Sequence, residues 1–391
     1  AVGLGAFRAG RIKEIGLLHF VAECANMAVH VGVPLWHVPV GALEDPDAIV
    51  AGKPDHFLTW HVVSDGEEVL GLPRRQFAAQ HDELRLAAGL GLHRLLENSV
   101  ECLLLTYSRS REARERLRAE RPDCVVTTNP FWFDEPGVVA EARKLGIPVL
   151  AMIPSWDNIT TKGRMVFKYD GYLLWSEQAR TELLHYYPDS RRRPISIVGA
   201  SQFDVFAQDR FLESRESFCE RHGLRPDQPY ILYAIGSPHF IRGEHLGAIQ
   251  LAERICAGDL GDVQMLVRPH PTKDNAELVQ QFERFGPRVV VQAVASPGTP
   301  ITARSQTESQ VLDWVSTFRH CALVVNLSSA VGIDAALFDK PVVNLDYDPE
   351  PGQANQALIK DVNHLWSHFQ PLAESGGLWL VKDGEEMVRA V

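Results

Sequence analysis

Five short apolar runs recur between residues 230 and 345, "YILYAI", "VQMLV", "RVVVQA", "ALVVN" and "PVVNL", each separated from the next by a segment that reads as helix. Runs this short and this continuous fit strands covered on both faces, and parallel neighbours need a crossover long enough to hold a helix. The alternation therefore predicts a doubly wound parallel sheet. A similar series precedes it: "DCVVTT", a helix from Pro136 to Leu145 stopped by Gly146, "IPVLAMI", "DGYLLW" and a helix through "SEQARTELLHYY". Earlier still, Ile12, Ile15, Leu18, Ala22, Ala25 and Val29 lie near helical spacing and lead to a strand around Val33 to Val38. The chain opens on "AVGLGAFRAG", glycine-rich like a strand-to-helix loop with no strand before it, so a first strand is expected to be missing from the amino terminus.

A length of 391 residues is too much for one ordinary core. Between the two series the composition turns polar, through "LESRESFCERHGLRPDQ", which places a boundary between Gly199 and Pro229. The expectation is an α/β chain of two tandem Rossmann-like domains, residues 1–204 and 205–391, with the carboxyl ends of both sheets at a central cleft.

A hydrophobic content of 45% describes a folded globular chain, and a formal charge of −11 argues against nucleic acid as a partner. The most basic stretch, "SRSREARERLRAERP", interleaves Glu112, Glu115 and Glu120 with its arginines and reads as a solvated helix; a membrane-surface or partner-binding face is the other reading. The most apolar window, from Ile15 to Val40, is broken by His19, Glu23, Asn26 and Pro34, so it is not a span. Six widely spaced cysteines without a CxxC pair suit reduced thiols, and no signal peptide is visible. A cytoplasmic location follows, with peripheral association at the inner face of the membrane left open.

Chemistry concentrates where the apolar runs end. After "VQMLV" come Arg268, Pro269, His270, Pro271, Thr272 and Lys273, a proline-stiffened basic loop suited to phosphate, with Asp274 and Glu277 in capping-box spacing behind it. After "ALVVN" come Ser328 and Ser329, opening a helix that contains Asp334; two hydroxyls at a helix amino terminus suit a diphosphate, and the carboxylate suits a ribose hydroxyl. Gly236 and Ser237 after "YILYAI" form a third anion-ready loop. Each loop also has a plainer reading, as a rigid turn or a helix cap. In the first half, "PSWDNITTKG" sets Trp156, Asp157, Asn158 and Lys162 at a strand end, and "TTNPFWFDEPG" does the same with Trp132, Asp134 and Glu135. Aromatic faces suit sugar rings, and a carboxylate can deprotonate an acceptor hydroxyl; an Asp-Asn turn and a hydrophobic plug are the structural alternatives. "DYD" at 346–348 matches the metal-binding DxD of a different transferase fold, and the tandem architecture points away from it.

The series "YILYAI", "RPHP" and "NLSSAVGIDAALFDKPVVNLD" resembles the carboxyl-terminal domain of CDP-glycerol glycerophosphotransferases, and the "HP" and "SS" elements are similar to those of bacterial sialyltransferases and Kdo transferases. All are GT-B enzymes of surface-polysaccharide assembly. The resemblance covers about 123–204 and 230–348, and "SDGEE" at 64–68 is similar to the acidic motif of the sialyltransferases. It implies that His270, Ser328 and Ser329 hold the donor, with Gly236, Ser237, Arg268 and Asp334 around them. It also implies that "WDNITTKG" stands where the glycerophosphotransferases carry a tryptophan and a histidine, so that Asp157 replaces that base. "VNLSS" stands where they tend to have an aspartate and a tyrosine before the serines, which favours a nucleotide sugar over CDP-glycerol.

The resulting expectation is a glycosyltransferase needing neither metal nor cofactor. A nucleotide-sugar (or CDP-alditol) donor sits in the second domain and a glycan, lipid-linked or small-molecule acceptor in the first. Asp157 acts as base and His270 stabilises the leaving phosphate, while Trp132, Asp134, Glu135, Trp156, Asn158 and Lys162 contact sugar or acceptor. A non-hydrolysing nucleotide-sugar 2-epimerase and a non-catalytic nucleotide-sugar-binding subunit are the alternatives.

Overall fold

The computed structural model describes residues 68–69, 72–73, 92–128, 130–131, 136–162, 165, 167–237, 240–270, 276–292 and 307–391. The helix and strand expected within residues 12–38, and most of "SDGEE", lie outside the described residues. The chain divides into two units, residues 1–200 and 201–391.

In the first unit four parallel strands pair in sequence order: β1 (Val125–Thr127), β2 (Val149–Met152), β3 (Gly171–Leu174) and β4 (Ile195–Ile197). The helices described with them are α1 (Leu92–Tyr107), α2 (Arg111–Glu120), α3 (Pro136–Lys144), α4 (Asn158–Thr161) and α5 (Glu177–Tyr186). Their core gathers Val139 and Ala142 of α3, Val149 and Ala151 of β2, Tyr172 and Leu174 of β3, and Ala179 and Leu183 of α5. The arginine-rich segment is α2. Ser110 caps it by accepting from the Ala113 N–H, only Leu117 is buried, and Arg114 leaves its own helix to pair with the buried Glu141 of α3 through two hydrogen bonds. Gly146 follows α3 at φ 73°, in the left-handed region that favours glycine.

The second unit contains β5 (Tyr230–Ala234), β6 (Gln264–Arg268), β7 (Val289–Val291), β8 (Leu323–Asn326), β9 (Val342–Leu345) and β10 (Leu378–Val381), all parallel, in the order β10-β9-β8-β5-β6-β7. Counted from its own first strand, this is the 3-2-1-4-5-6 order of a Rossmann sheet. Its helices are α6 (Arg215–His222), α7 (His245–Ala257), α8 (Ala276–Phe282), α9 (Glu308–His320), α10 (Val331–Ala336), α11 (Gln356–His364), α12 (Gln370–Glu374) and α13 (Gly384–Ala390).

The pleat sorts the strand side chains into two cores. Ile231, Tyr233, Met265, Val267, Val325, Val343 and Leu345 join Leu251 and Ile255 of α7, Phe282 of α8, Ile359 of α11 and Met387 of α13 on one face. Tyr230, Leu232, Leu266, Val324 and Val342 join Phe218 of α6, Phe318 of α9 and Ala335 of α10 on the other. The apolar runs are continuous because both faces are covered. The α/β class with two parallel sheets is thus observed, and the second unit is doubly wound.

Within the two parallel sheets, two described strands carry no mark in the sequence pattern. β4 and β10 lie at sheet edges and leave Ile197 and Trp379 exposed, so neither presents a buried run. Among the described residues no helix is long and apolar enough to cross a membrane.

The approach of α7 to the sheet depends on Gly247, where a Cβ would stand 2.5 Å from the Tyr233 Oη and 3.1 Å from a Leu345 methyl, both buried. Gly247→Ala is expected to destabilise the chain by about 1–3 kcal/mol through overpacking, read as a lower denaturant midpoint with an unchanged slope. A midpoint equal to that of the unsubstituted chain would show that α7 is free to shift.

Candidate functional site

The six described strands of the second unit's sheet run the same way, so the residues after them share one edge of the sheet. Between β5 and β8 the connections leave in opposite directions, and ligands of open α/β sheets bind at such a switch point. Gly236 and Ser237 follow β5 there, and Leu327, Ser328 and Ser329 follow β8. Gly236 is required by a close approach: its N–H donates to Oε2 of Glu244 at 2.8 Å, and a Cβ would stand 2.9 Å from that oxygen. Glu244 is 3% exposed, and burial pushes its carboxyl up to about 8, against the Gly236 and Leu327 amides, which favour the charged form. Its Oε1 has no partner in hydrogen-bond geometry among the described residues. Sequence reading passed over Glu244, because an acid next to a helix start looks like an ordinary favourable charge.

The loop after β8 is held by carboxamides. Asn344 Oδ1 accepts from the Ser328 N–H at 2.6 Å, and Asn326 Oδ1 accepts from the Ser329 N–H at 3.1 Å. The Ser328 hydroxyl donates to Asn363 Oδ1 at 2.7 Å, and the Ser329 hydroxyl accepts from the Val331 N–H at 3.3 Å. Asn326, Asn344 and Asn363 are buried, and Ser328 takes φ 49°, a left-handed backbone rare for serine. The loop's conformation is therefore imposed by its partners. Beneath it Asp346 accepts from Lys360, from Asn363 at 3.1 Å and faces His364; burial alone would raise this carboxyl, but Lys360, Asn363 and His364 outweigh it and hold it low. Asp348 instead accepts the Glu350 and Asn355 amides, and Tyr347 donates to Gln250. The three side chains of "DYD" thus go to three separate tasks inside the fold.

The structure takes Arg268 and Asp334 inward. The Arg268 guanidinium lies 4.2 Å over the Trp314 ring and donates to Gln292 at 2.6 Å; burial lowers it to about 10, opposed by Asp313 and Asp334. Asp334 is 9% exposed, and burial raises it to about 7 while a hydrogen bond from Trp314 and the charge of Arg268 oppose the rise. Gln292 continues the chain to Asp313, which also binds Arg221 and His222. His270 is half-buried two residues beyond Arg268. The capping-box residue Asp274 lies outside the described residues.

In the first unit, Trp156, Asp157, Asn158 and Lys162 come together in the turn after β2 and the single helical turn α4. The Asp157 carboxylate accepts from the Ser155 hydroxyl, from Asn158 Nδ2 at 3.2 Å and from the Thr161 hydroxyl at 2.8 Å, filling three of its roughly four acceptor positions. Asn158 is buried, Trp156 half-buried and Lys162 exposed. Beside this turn stands a residue that sequence reading missed. Glu182 of α5 is 7% exposed, one of its oxygens has no partner among the described residues, and burial raises its carboxyl to about 7, with the Asp157 charge adding to the rise and a bond from Gln178 opposing it. In the sequence it is one more acid in an amphipathic helix. Trp132, Asp134 and Glu135 lie outside the described residues. Among the described residues no group of histidine, cysteine and carboxylate side chains could hold a metal.

No family model matches the chain, and no curated protein matches it in sequence. Solved structures do. A UDP-GlcNAc 2-epimerase from Methanocaldococcus jannaschii aligns with TM-score 0.45 at 16% identity, over 74% of this chain and 73% of that one. The UDP-GlcNAc 2-epimerase from Neisseria meningitidis, bound to UDP-GlcNAc, gives 0.47 at 13% identity over 82% and 80%. The ADP-heptose lipopolysaccharide heptosyltransferase II of Escherichia coli gives 0.40 at 14% identity over 71% and 79%. The fold assignment rests on the strand order and not on these superpositions.

Glu182 and Glu244 bind protons in the folded state that the unfolded chain has released above pH 4.5. The contribution of these two groups to stability therefore falls as pH rises from about 4.5 toward 8, by about 1.4 kcal/mol for each unit by which a group is raised, while the lowered His245 and His320 act in the opposite sense. Glu244→Gln keeps an acceptor for the Gly236 N–H without the charge. It is expected to raise the melting temperature at pH 8 while changing it little at pH 5, by scanning calorimetry; equal shifts at both would show that Glu244 does not titrate in this range.

Proposed function

We propose that the chain is a glycosyltransferase of the GT-B type, moving a sugar from a nucleotide-activated donor to a glycan, lipid-linked or small-molecule acceptor. The second unit takes the nucleotide sugar. What carries the reading is the Rossmann strand order, with the loops that bear Gly236, Ser237, Ser328 and Ser329 at its switch point. The motif resemblance of "RPHP" and "NLSS" supports the same ligand, and His270, half-buried after β6, is the side chain proposed to face the departing phosphate.

In this reading the first unit serves the acceptor. Asp157 is the proposed base: its three internal donors fix the carboxylate's orientation and leave one acceptor position for an incoming hydroxyl. Trp156 offers a ring for a sugar face and Lys162 an exposed cation beside it.

Titration of the purified chain with CMP, CDP, UDP, GDP and dTDP tests the ligand class. One nucleotide at 100 times its dissociation constant adds about 2.7 kcal/mol, a rise of roughly 5 °C or more for a unit of this size. The rise is expected to shrink in His270→Ala, and no response to any of the five would remove the donor-site reading. Asp157→Asn is expected to lower turnover about 10²- to 10⁴-fold with nucleotide affinity within a few-fold. Wild-type turnover in that variant would end the base assignment, and isomerised donor appearing without acceptor would replace transfer by epimerisation.

A further inference from the structure

We infer that Ser328 acts toward its ligand only as a hydrogen-bond acceptor, so that it reads a hydroxyl of the ligand's ribose or sugar and not the diphosphate. The inference rests on the nucleotide-sugar reading above and deepens it, since the serine pair of the sequence was expected to hold phosphate.

The polarity is set from below. Asp346 is a carboxylate that accepts and cannot donate, and the Leu345 carbonyl likewise only accepts. Asn363 presents one group to both, at 3.1 Å each, so that group is its NH₂. The carboxamide cannot be turned over without setting its oxygen against a carbonyl and a carboxylate. Its Oδ1 is thereby fixed on the other side, where it lies 2.7 Å from the Ser328 hydroxyl and 3.0 Å from Asn344 Nδ2. Two oxygens at 2.7 Å need a proton between them, and only the serine has one. Asn344 is oriented independently: its Oδ1 receives the Ser328 N–H, which turns its NH₂ toward Asn363. Both polar hydrogens of Ser328 are thus consumed by buried carboxamides. What the residue offers outward is lone pairs.

The phosphates of a nucleotide sugar carry no proton at neutral pH and would meet those lone pairs with like polarity. A hydroxyl meets them with a proton. Ser329 has the opposite character, because its Oγ accepts from Val331 and keeps its own proton for an anionic oxygen. A second sign of an unfilled ligand position lies under the same loop. Asn326 is 1% exposed, gives its oxygen to the Ser329 N–H, and its Nδ2 has no partner among the described residues.

The test uses the full chain as wild type, Ser328→Gly and Ser329→Ala. Glycine suits the left-handed backbone at 328, so the variant is expected to fold, checked by its melting temperature. Each protein is titrated calorimetrically with UDP, CDP and GDP, with their 2′-deoxy and 3′-deoxy forms, and with UDP-glucose and GDP-mannose. The expected result is a loss of roughly 3- to 10-fold in Ser328→Gly that disappears once the responsible hydroxyl is removed. If that hydroxyl is on the ribose, one deoxy nucleotide binds variant and wild type alike. If it is on the transferred sugar, the free diphosphates are indifferent to the substitution and only the nucleotide sugars weaken. Ser329→Ala is expected to weaken ribo and deoxy forms by a common factor. An equal loss in Ser328→Gly for every ligand, or no loss for any, overturns the inference; a wild-type chain that binds none of the probes overturns the nucleotide-sugar reading on which it rests.

Discussion

A parallel sheet covered on both faces leaves its polar chemistry little room except where the strands stop. In the second unit the two cores take alternate side chains of the central strands β5, β6, β8 and β9, so none of these four has a wet face along its length. Apart from the tyrosines of β5 and Gln264 at the start of β6, the polar side chains of these strands come toward their carboxyl ends, at Arg268, Asn326 and Asn344, with Asp346 just beyond β9. The candidate site follows from this constraint. It is assembled from loops that the sheet fixes on one edge, and its residues come from points about 90 positions apart in the chain.

Burial then makes those few polar groups act as a set. An unsatisfied amide or carboxylate in the interior costs about 1–3 kcal/mol, so a partner of the right polarity is strongly favoured for each. Asp346, an acceptor, dictates which way Asn363 faces, and Asn363 with Asn344 dictates what Ser328 may offer. The same logic runs on the other side of the sheet. There Asp313, Gln292, Arg268, Trp314 and Asp334 form a chain from α9 to α10, with the one cation set between carboxylates. Arg268 and Asp334 are therefore components of the platform, while the serines and His270 stand at its edge.

The first unit shows the complementary case, a carboxylate whose partners are local. Asp157 is tied down by residues within four positions of itself, as an Asp-Asn turn would be, yet its neighbour Glu182 comes from a different helix. One carboxylate is held by three local donors, and the other is buried with one oxygen unpartnered among the described residues, where burial raises its pKa.

The apolar runs and their helical spacers determined by themselves the α/β class, the two series of strands and the residues at their ends, because hydrophobic periodicity is written locally. They missed β4 and β10, whose edge positions leave no buried run to detect. Sequence also singled out Gly236, His270 and the serine pair, since glycine, histidine and paired hydroxyls after a strand stand out. Only the tertiary structure decided that Arg268 and Asp334 turn inward, that Glu182 and Glu244 are buried acids, and that adjacent serines have opposite polarity. The reason is physical: a side chain's burial and the direction of its hydrogen bonds are set by partners distant in sequence, here Asn344 and Asn363 for Ser328, and no local pattern carries that information.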